Sequence, residues 1–200
     1  MKIKITLLEE LLGTASADRE VHEKYIASLA PDAKSTEEEV AALGVEAVTT
    51  AGMTVFPRID GRPFVWDYQI KGFFKDACGM LSRVKGTKKE GGTASANLKA
   101  YKKVIDGLIF VKPRKILIEM PTGALMGNCQ RPLRAQTAQG ERIALANSEA
   151  IPAGSQITFE VVTFDKAHES LVHEWLDYGM FRGLGQWRNS GKGAFEWEEV

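Results

Sequence analysis

The chain has 200 residues, 44% of them apolar, and its 26 basic and 26 acidic side chains cancel to a formal charge of zero. That length and apolar content suffice for one domain with a real core, while the neutral balance excludes attachment to nucleic acid by bulk charge alone. Cys78 and Cys129 stand far apart, which excludes a cysteine-rich metal knuckle and a disulfide scaffold. No signal peptide opens the sequence and no apolar run reaches bilayer length, so a cytoplasmic protein is expected. The charge is nonetheless uneven. Acids dominate between Glu9 and Glu46, and bases dominate between Arg83 and Lys103, where Glu90 is the one acid. Such asymmetry suits the pairing of one copy with another, a basic face for phosphates, or two ordinary solvated surfaces.

In chain order, Ile3, Ile5 and Leu7 alternate with Lys2, Lys4 and Thr6, the pattern of a strand with one buried face. A small, polar loop runs from Gly13 to Asp18. Residues 19–50 then read as helices: Val21, Tyr25 and Leu29 recur at helical spacing, and Ser35 with Glu38 forms a capping-box pattern. They are predicted to be an insertion. The turn-rich segment Pro57 to Pro63 is read as a small hairpin. Ile70, Phe73, Phe74, Ala77 and Leu81 mark an amphipathic helix with Asp67 as its N-cap, and Lys71, Lys75 and Asp76 on its other face. A basic loop follows from Lys85 to Ala96, then a short helix with Leu98, Tyr101 and Ile105.

Two strands are predicted at Leu108–Val111 and Ile116–Met120, about a turn at Lys112-Pro113-Arg114. Gly123 to Gln139 reads as irregular and basic, with Arg131 and Arg134, and a further strand is placed at Arg142–Leu145. Ile157, Phe159 and Val161 define a long strand, and Asp165 caps a helix with Ala167, Leu171, Trp175 and Tyr178. That helix leads into a glycine-rich segment, where Gly183, Gly185, Gly191 and Gly193 form two Gly-x-Gly pairs around Arg182, Trp187, Arg188 and Lys192. Phe195 and Trp197 alternate with Glu196 and Glu198 in a last strand.

Glycine permits positive φ and close backbone approach, and backbone N–H groups flanked by Arg and Lys suit the anionic oxygens of a phosphate chain. The competing reading is a turn that only lets the last strand pack. A phosphate-binding P-loop is excluded, because Gln186 and Gly193 stand where that motif needs Gly and Ser or Thr. A dinucleotide fingerprint also fails for want of its third Gly.

The order of strands and helices suits an α+β fold: a ferredoxin-like (RRM-like) antiparallel sheet with helices on one face, a helical insertion after the first strand and a C-terminal Gly-rich loop. Three local patterns carry a family resemblance. Residues 67–77, Asp67 to Ala77 with Lys71-Gly72 at their centre, resemble the run that opens the first helix in RAMP-superfamily proteins. Gln130 to Arg134, followed by Glu149-Ala150-Ile151-Pro152-Ala153-Gly154-Ser155, is similar to that family's entry to a central strand. The Gly-rich loop after the last helix is its hallmark. The resemblance covers most of the chain outside residues 19–50 and is nearest to the single-domain backbone subunits of CRISPR effector complexes.

The resemblance implies one domain over residues 1–200, and a module that binds the phosphate backbone of a guide RNA, joins other effector subunits and assembles as a homo-oligomer in antiviral defence. On it, the RNA-binding set is Lys71, Lys75, Arg131, Arg134, Arg182, Gly183, Gly185, Trp187, Arg188, Gly191, Lys192 and Gly193, with a base stacked on Trp187. It also raises two catalytic candidates. Processing nucleases of the family carry an N-terminal histidine, here His22, and some backbone subunits use a loop aspartate, here Asp18, with a metal. The alternative for each is an exposed residue in a polar segment. No cofactor or metal is expected, and His168 and His173 read as structural or exposed. Two further functions stay open: a protein-interaction module, such as a mobile-element homologue or a mimic of a CRISPR subunit, and a metal-independent endoribonuclease.

Overall fold

A computed structural model describes residues 1–16, 53–84, 92–137 and 140–200, with the backbone alone at residue 16 and over 133–145. The expected insertion at 19–50, with Asp18 and His22, lies outside the described residues.

The sheet predicted from alternation is present. Strand β1 (Lys2–Leu7) lies between β11 (Gln156–Thr163) and β12 (Phe195–Glu199), both antiparallel to it. On its far edge β11 pairs with β7 (Ile109–Lys112) and β8 (Lys115–Glu119). The path β12-β1-β11-β7/β8 is the strand order of a ferredoxin-like fold, with crossovers through α1 (Asp67–Leu81) and α3 (Ala167–Asp177). Strands β7 and β8 pair with successive parts of β11, so the Lys112-Pro113-Arg114 segment is a kink in one bent path rather than a reversal.

Ile3, Ile5 and Leu7 of β1 and Ile157, Phe159 and Val161 of β11 are buried on the helical face. There they meet Phe73 and Phe74 of α1 and Leu171 and Trp175 of α3 in one apolar cluster. Ring contacts of 5.3 Å between Phe73 and Phe195, and 5.5 Å between Phe74 and Trp175, join the two helices and β12 above the sheet. Both helices therefore cover one face, as their apolar stripes require. Between them sits a short 3-10 turn, Ala94–Asn97, whose Ala94 and Ser95 N–H groups donate to the Glu174 carboxylate at 2.6 and 3.0 Å. Helix α2 (Tyr101–Leu108) then leads into β7.

The segment 57–63 is a hairpin of β5 (Arg58–Ile59) and β6 (Arg62–Trp66), and β6 extends the sheet beyond β8. Its two-residue loop, Asp60-Gly61, has φ of 51° and 76°, as a type I′ turn demands. Helix α1 begins one residue earlier than its sequence suggests. Trp66 is the N-cap, Gln69 accepts the Trp66 N–H at 2.8 Å, and Asp67 is already in the first turn with its own N–H donated to the Arg114 carbonyl. Lys166 is the N-cap of α3 where Asp165 was expected, and Asp165, one residue earlier, accepts the Ala167 N–H at 2.9 Å.

A second sheet departs from the sequence reading. The stretch read as irregular is β9 (Gly127–Thr137), which pairs with β10 (Gly140–Ile151) in a long antiparallel ribbon. At its root β10 also pairs with β2 (Leu11–Leu12) and, in parallel, with β4 (Met53–Val55), which carries β3 (Ala15–Ser16). Beyond that root the two ribbon strands have only each other among the described residues. Alternation marks a strand in sequence where one face of its sheet is buried, a demand that a two-stranded ribbon outside the central sheet does not share. Among the described residues no helix is long and apolar enough to cross a membrane.

Candidate nucleic-acid interface

The glycine loop runs from the end of α4 (Gly179–Arg182) to β12, over the segment that leaves β1. All four glycines have positive φ, from 69° at Gly183 to 82° at Gly191, and Trp187 joins them at 56°. Three of the four are there for contact within the protein. A Cβ on Gly183 would come within 2.6 Å of the Lys192 carbonyl oxygen and the Gly193 carbonyl carbon, one on Gly185 within 2.9 Å of Leu11, and one on Gly193 inside the Leu184 backbone. The Leu184 N–H donates to Gly193 O, and the Gly193 N–H to Glu10 O, both at 2.8 Å. Gly191 differs: a Cβ there would meet nothing within 4 Å. Its Cα side faces open space, while its N–H donates to the Arg188 carbonyl at 2.9 Å and its carbonyl accepts the Ala194 N–H at 3.3 Å.

The cations of the loop are paired within the protein. Arg182 donates to Asp76 from Nε at 2.8 Å and to Asn189 from Nη1 at 2.9 Å, and Arg188 Nη1 reaches the same Asp76 oxygen at 2.8 Å. Partial burial works against the Asp76 carboxylate, but the Arg182 hydrogen bonds and the charges of Arg188 and Arg182 outweigh it and hold the pKa below its ordinary value. Lys192 bonds Glu10 at 2.9 Å, which raises its pKa. Lys71 and Lys75 turn to α2 instead. Lys71 donates to the Asp106 carbonyl at 3.1 Å and lies 5.0 Å from the centre of the Phe110 ring, with burial lowering its pKa. Lys75 pairs with the Asp106 carboxylate at 2.5 Å. The predicted set is thus divided between the glycine loop and the α1–α2 face. Backbone pairing puts Arg134 opposite Ile143 in the ribbon, and its side chain lies outside the described residues.

Because its folded-state pKa is depressed, Asp76 stabilises the fold at pH values above its unfolded-state value, and that contribution is lost as pH falls through the folded value. Asp76→Asn is expected to flatten the acid side of a melting-temperature profile taken from pH 6 to pH 2.5. A profile parallel to wild type below pH 4 would show that the pairing adds no stability.

Arg131 is the exception among the cations. It springs from β9 at the ribbon root and is only 8% exposed. Nη2 donates to Gln186 Oε1 at 2.8 Å, while Nε and Nη1 are buried with no partner. Its guanidinium carbon lies 5.0 Å from the centre of the Trp187 ring, which is 39% exposed. Gln186, absent from the predicted set, fixes this arrangement. Its amide nitrogen donates to the Gly13 carbonyl, to Thr54 Oγ1 at 2.7 Å and to Ser148 Oγ at 3.0 Å, tying the loop to the second sheet. Its signal in the sequence was only its place between two glycine pairs.

Beside the loop a cleft of about 380 Å³ opens between Leu11–Ala15, the start of α1 and residues 184–188, walled by Phe56, Trp66, Tyr68 and Phe73 with Gln69 and Arg188 at its polar points. Trp66 is buried. His168 is buried with Nδ1 unpartnered, and His173 lies against Trp197 with Glu199 at 3.7 Å. Among the described residues no three His, Cys, Asp or Glu side chains gather as a metal-holding group.

No protein-family model and no curated protein sequence matches the chain. Solved structures do. A chain of the type III-B Cmr-beta complex bound to cognate target RNA, seen by cryo-EM, superposes with a TM-score of 0.54 at 12% identity, over 99% of this chain and 58% of that one. A chain of a type IV-B CRISPR complex gives 0.49 at 12% identity, over 98% and 88%. The chain thus spans 58% of the length of the type III-B chain. At that identity the likeness is one of fold. The chain carries a ferredoxin-like fold shared with a component of an RNA-bound type III-B CRISPR complex.

Proposed function

We propose that this chain is an RNA-binding RAMP-type module of a CRISPR effector complex. Residues 1–200 act as one domain with 19–50 as an insertion, the phosphate backbone of a guide RNA runs over the glycine loop, and copies associate along it beside other subunits. The observation that carries this reading is the meeting of the loop with the ribbon root: an exposed indole at Trp187 lies against the buried guanidinium of Arg131, in a loop whose Gly191 faces open space. An aromatic face and a cation are parts from which single strands are held without base readout. The fold shared with a component of an RNA-bound complex supports the same reading.

The test is a titration of a labelled, unstructured RNA at several salt concentrations. Binding that weakens as salt rises is expected, with little change between unrelated sequences. Absence of binding at low salt would overturn the proposal. One observation favours a second reading, the protein-interaction module: Arg182, Arg188 and Lys192 are already matched to Asp76 and Glu10. On that reading the chain captures other effector subunits while leaving RNA unbound in the same titration.

A further inference from the structure

The RNA-binding reading treats the loop cations as a set that tracks a phosphate chain, but their pairing pattern points to something narrower. Arg182 and Arg188 share Asp76, Lys192 has Glu10, and Lys75 has Asp106. Arg131 has no carboxylate partner among the described residues, and two of its donors, Nε and Nη1, are buried with no partner there. A guanidinium presents its donors as a planar fork suited to the two oxygens of a phosphate. A buried donor without an acceptor is unfavourable until a ligand supplies one. The indole that covers this fork is itself part-exposed and mounted on a residue at φ 56°. Gln186, held from Gly13, Thr54 and Ser148, keeps the fork in place by its third nitrogen.

Given that the chain binds RNA, we infer that Arg131 and Trp187 form a single-nucleotide site. In it, one edge of the Arg131 guanidinium, an unused donor (Nε or Nη1) beside the second hydrogen of Nη2, takes one phosphate of the RNA, and the Trp187 indole, displaced from the guanidinium, stacks on the adjoining base. The site rests on the RNA-binding reading and fails with it. The ligand class is a nucleotide within a single strand, recognised by phosphate and by base face, with no hydrogen bond to a base edge. The contact exchanges an arginine–indole stack for a base–indole stack. The chain then grips RNA chiefly at one phosphate per copy, and the paired cations add little.

The experiment compares wild type with Arg131→Met, Trp187→Ala and the exposed-surface control Lys99→Ala, titrating a labelled ten-nucleotide RNA across a salt series with melting temperatures alongside. For wild type the plot of log affinity against log salt is expected to have a slope of about −0.7, the contribution of one neutralised phosphate on a single strand. Arg131→Met is expected to weaken binding at least about tenfold and to take roughly 0.7 from that slope. Its melting temperature is not expected to fall, because a buried charge with unmade hydrogen bonds is replaced by an apolar chain of similar length. Trp187→Ala is expected to weaken binding about five- to a hundredfold with the slope unchanged, and Lys99→Ala to do neither. If Arg131→Met or Trp187→Ala binds RNA as wild type does, the single-nucleotide site is overturned and the broader RNA reading stands. A wild-type slope of about −3 or steeper also overturns the site, in favour of many phosphate contacts. A Lys99→Ala loss as large as that of Arg131→Met overturns it as well, because bulk charge then explains both. Wild type that binds no RNA at any salt overturns the proposed function itself.

Discussion

Gly193→Ala is expected to lower the melting temperature by roughly 10 °C, a loss of about 3 kcal/mol for a chain of this size. Two costs act together. The residue sits at φ 72°, where a side chain is strained. The added methyl would also lie inside the Leu184 carbonyl oxygen and 2.9 Å from the Leu184 nitrogen. Relief requires the loop to open, and opening breaks the Leu184-to-Gly193 and Gly193-to-Glu10 hydrogen bonds. Ala194, whose carbonyl receives the Leu8 and Glu9 N–H groups, would move with it and loosen the entry to β12. Gly191→Ala is the control. It shares the positive φ, at 82°, but faces open space, so only the conformational cost of about 1 kcal/mol remains. Equal losses in differential scanning calorimetry would mean that close packing is not what Gly193 provides.

Asp76→Ala is expected to move stability and binding in opposite directions. The carboxylate is the shared anchor of Arg182 and Arg188, and its loss leaves two part-buried guanidinium groups without their charge partner. Stability should fall by about 1–2 kcal/mol. RNA affinity at low salt should rise roughly three- to tenfold, and the salt slope should steepen by up to about 1.4 as two more cations become available for phosphates. A variant with reduced stability and unchanged affinity and slope would show that the two arginines serve only to hold α1 against the loop. Asp76→Asn, which keeps the shape and one acceptor oxygen, is expected to give a smaller change in the same directions.

The sequence was informative where one physical demand acts on neighbouring residues. Ile3-Ile5-Leu7 and Ile157-Phe159-Val161 had to alternate because only one face of the central sheet is covered, and Phe73 and Phe74 had to recur at helical spacing for α1 to lie on it. The glycines were legible because few residues tolerate their backbone angles. The ribbon of β9 and β10 was not, since its strands pair with each other outside the central sheet. The site was half legible for a related reason. Trp187, Arg188 and Lys192 announce themselves within one loop, whereas their partners lie elsewhere in the chain: Asp76 is 112 residues from Arg188, and Arg131 is 55 from Gln186. Nothing local distinguishes a paired arginine from an unpaired one.

Strand β1 has both of its sheet neighbours, β11 and β12, in the last quarter of the sequence, and the Met1 ammonium bonds the Val161 carbonyl across 160 residues. During synthesis, Ile3, Ile5 and Leu7 therefore leave the ribosome long before either strand that pairs with them exists. Hairpins such as β5–β6 and β9–β10 close locally and early, but the central sheet is a late, long-range event of the kind that slows folding and exposes apolar strands to wrong partners. Chaperone dependence during expression, and aggregation of chains truncated before β11, are the cellular signs of that ordering.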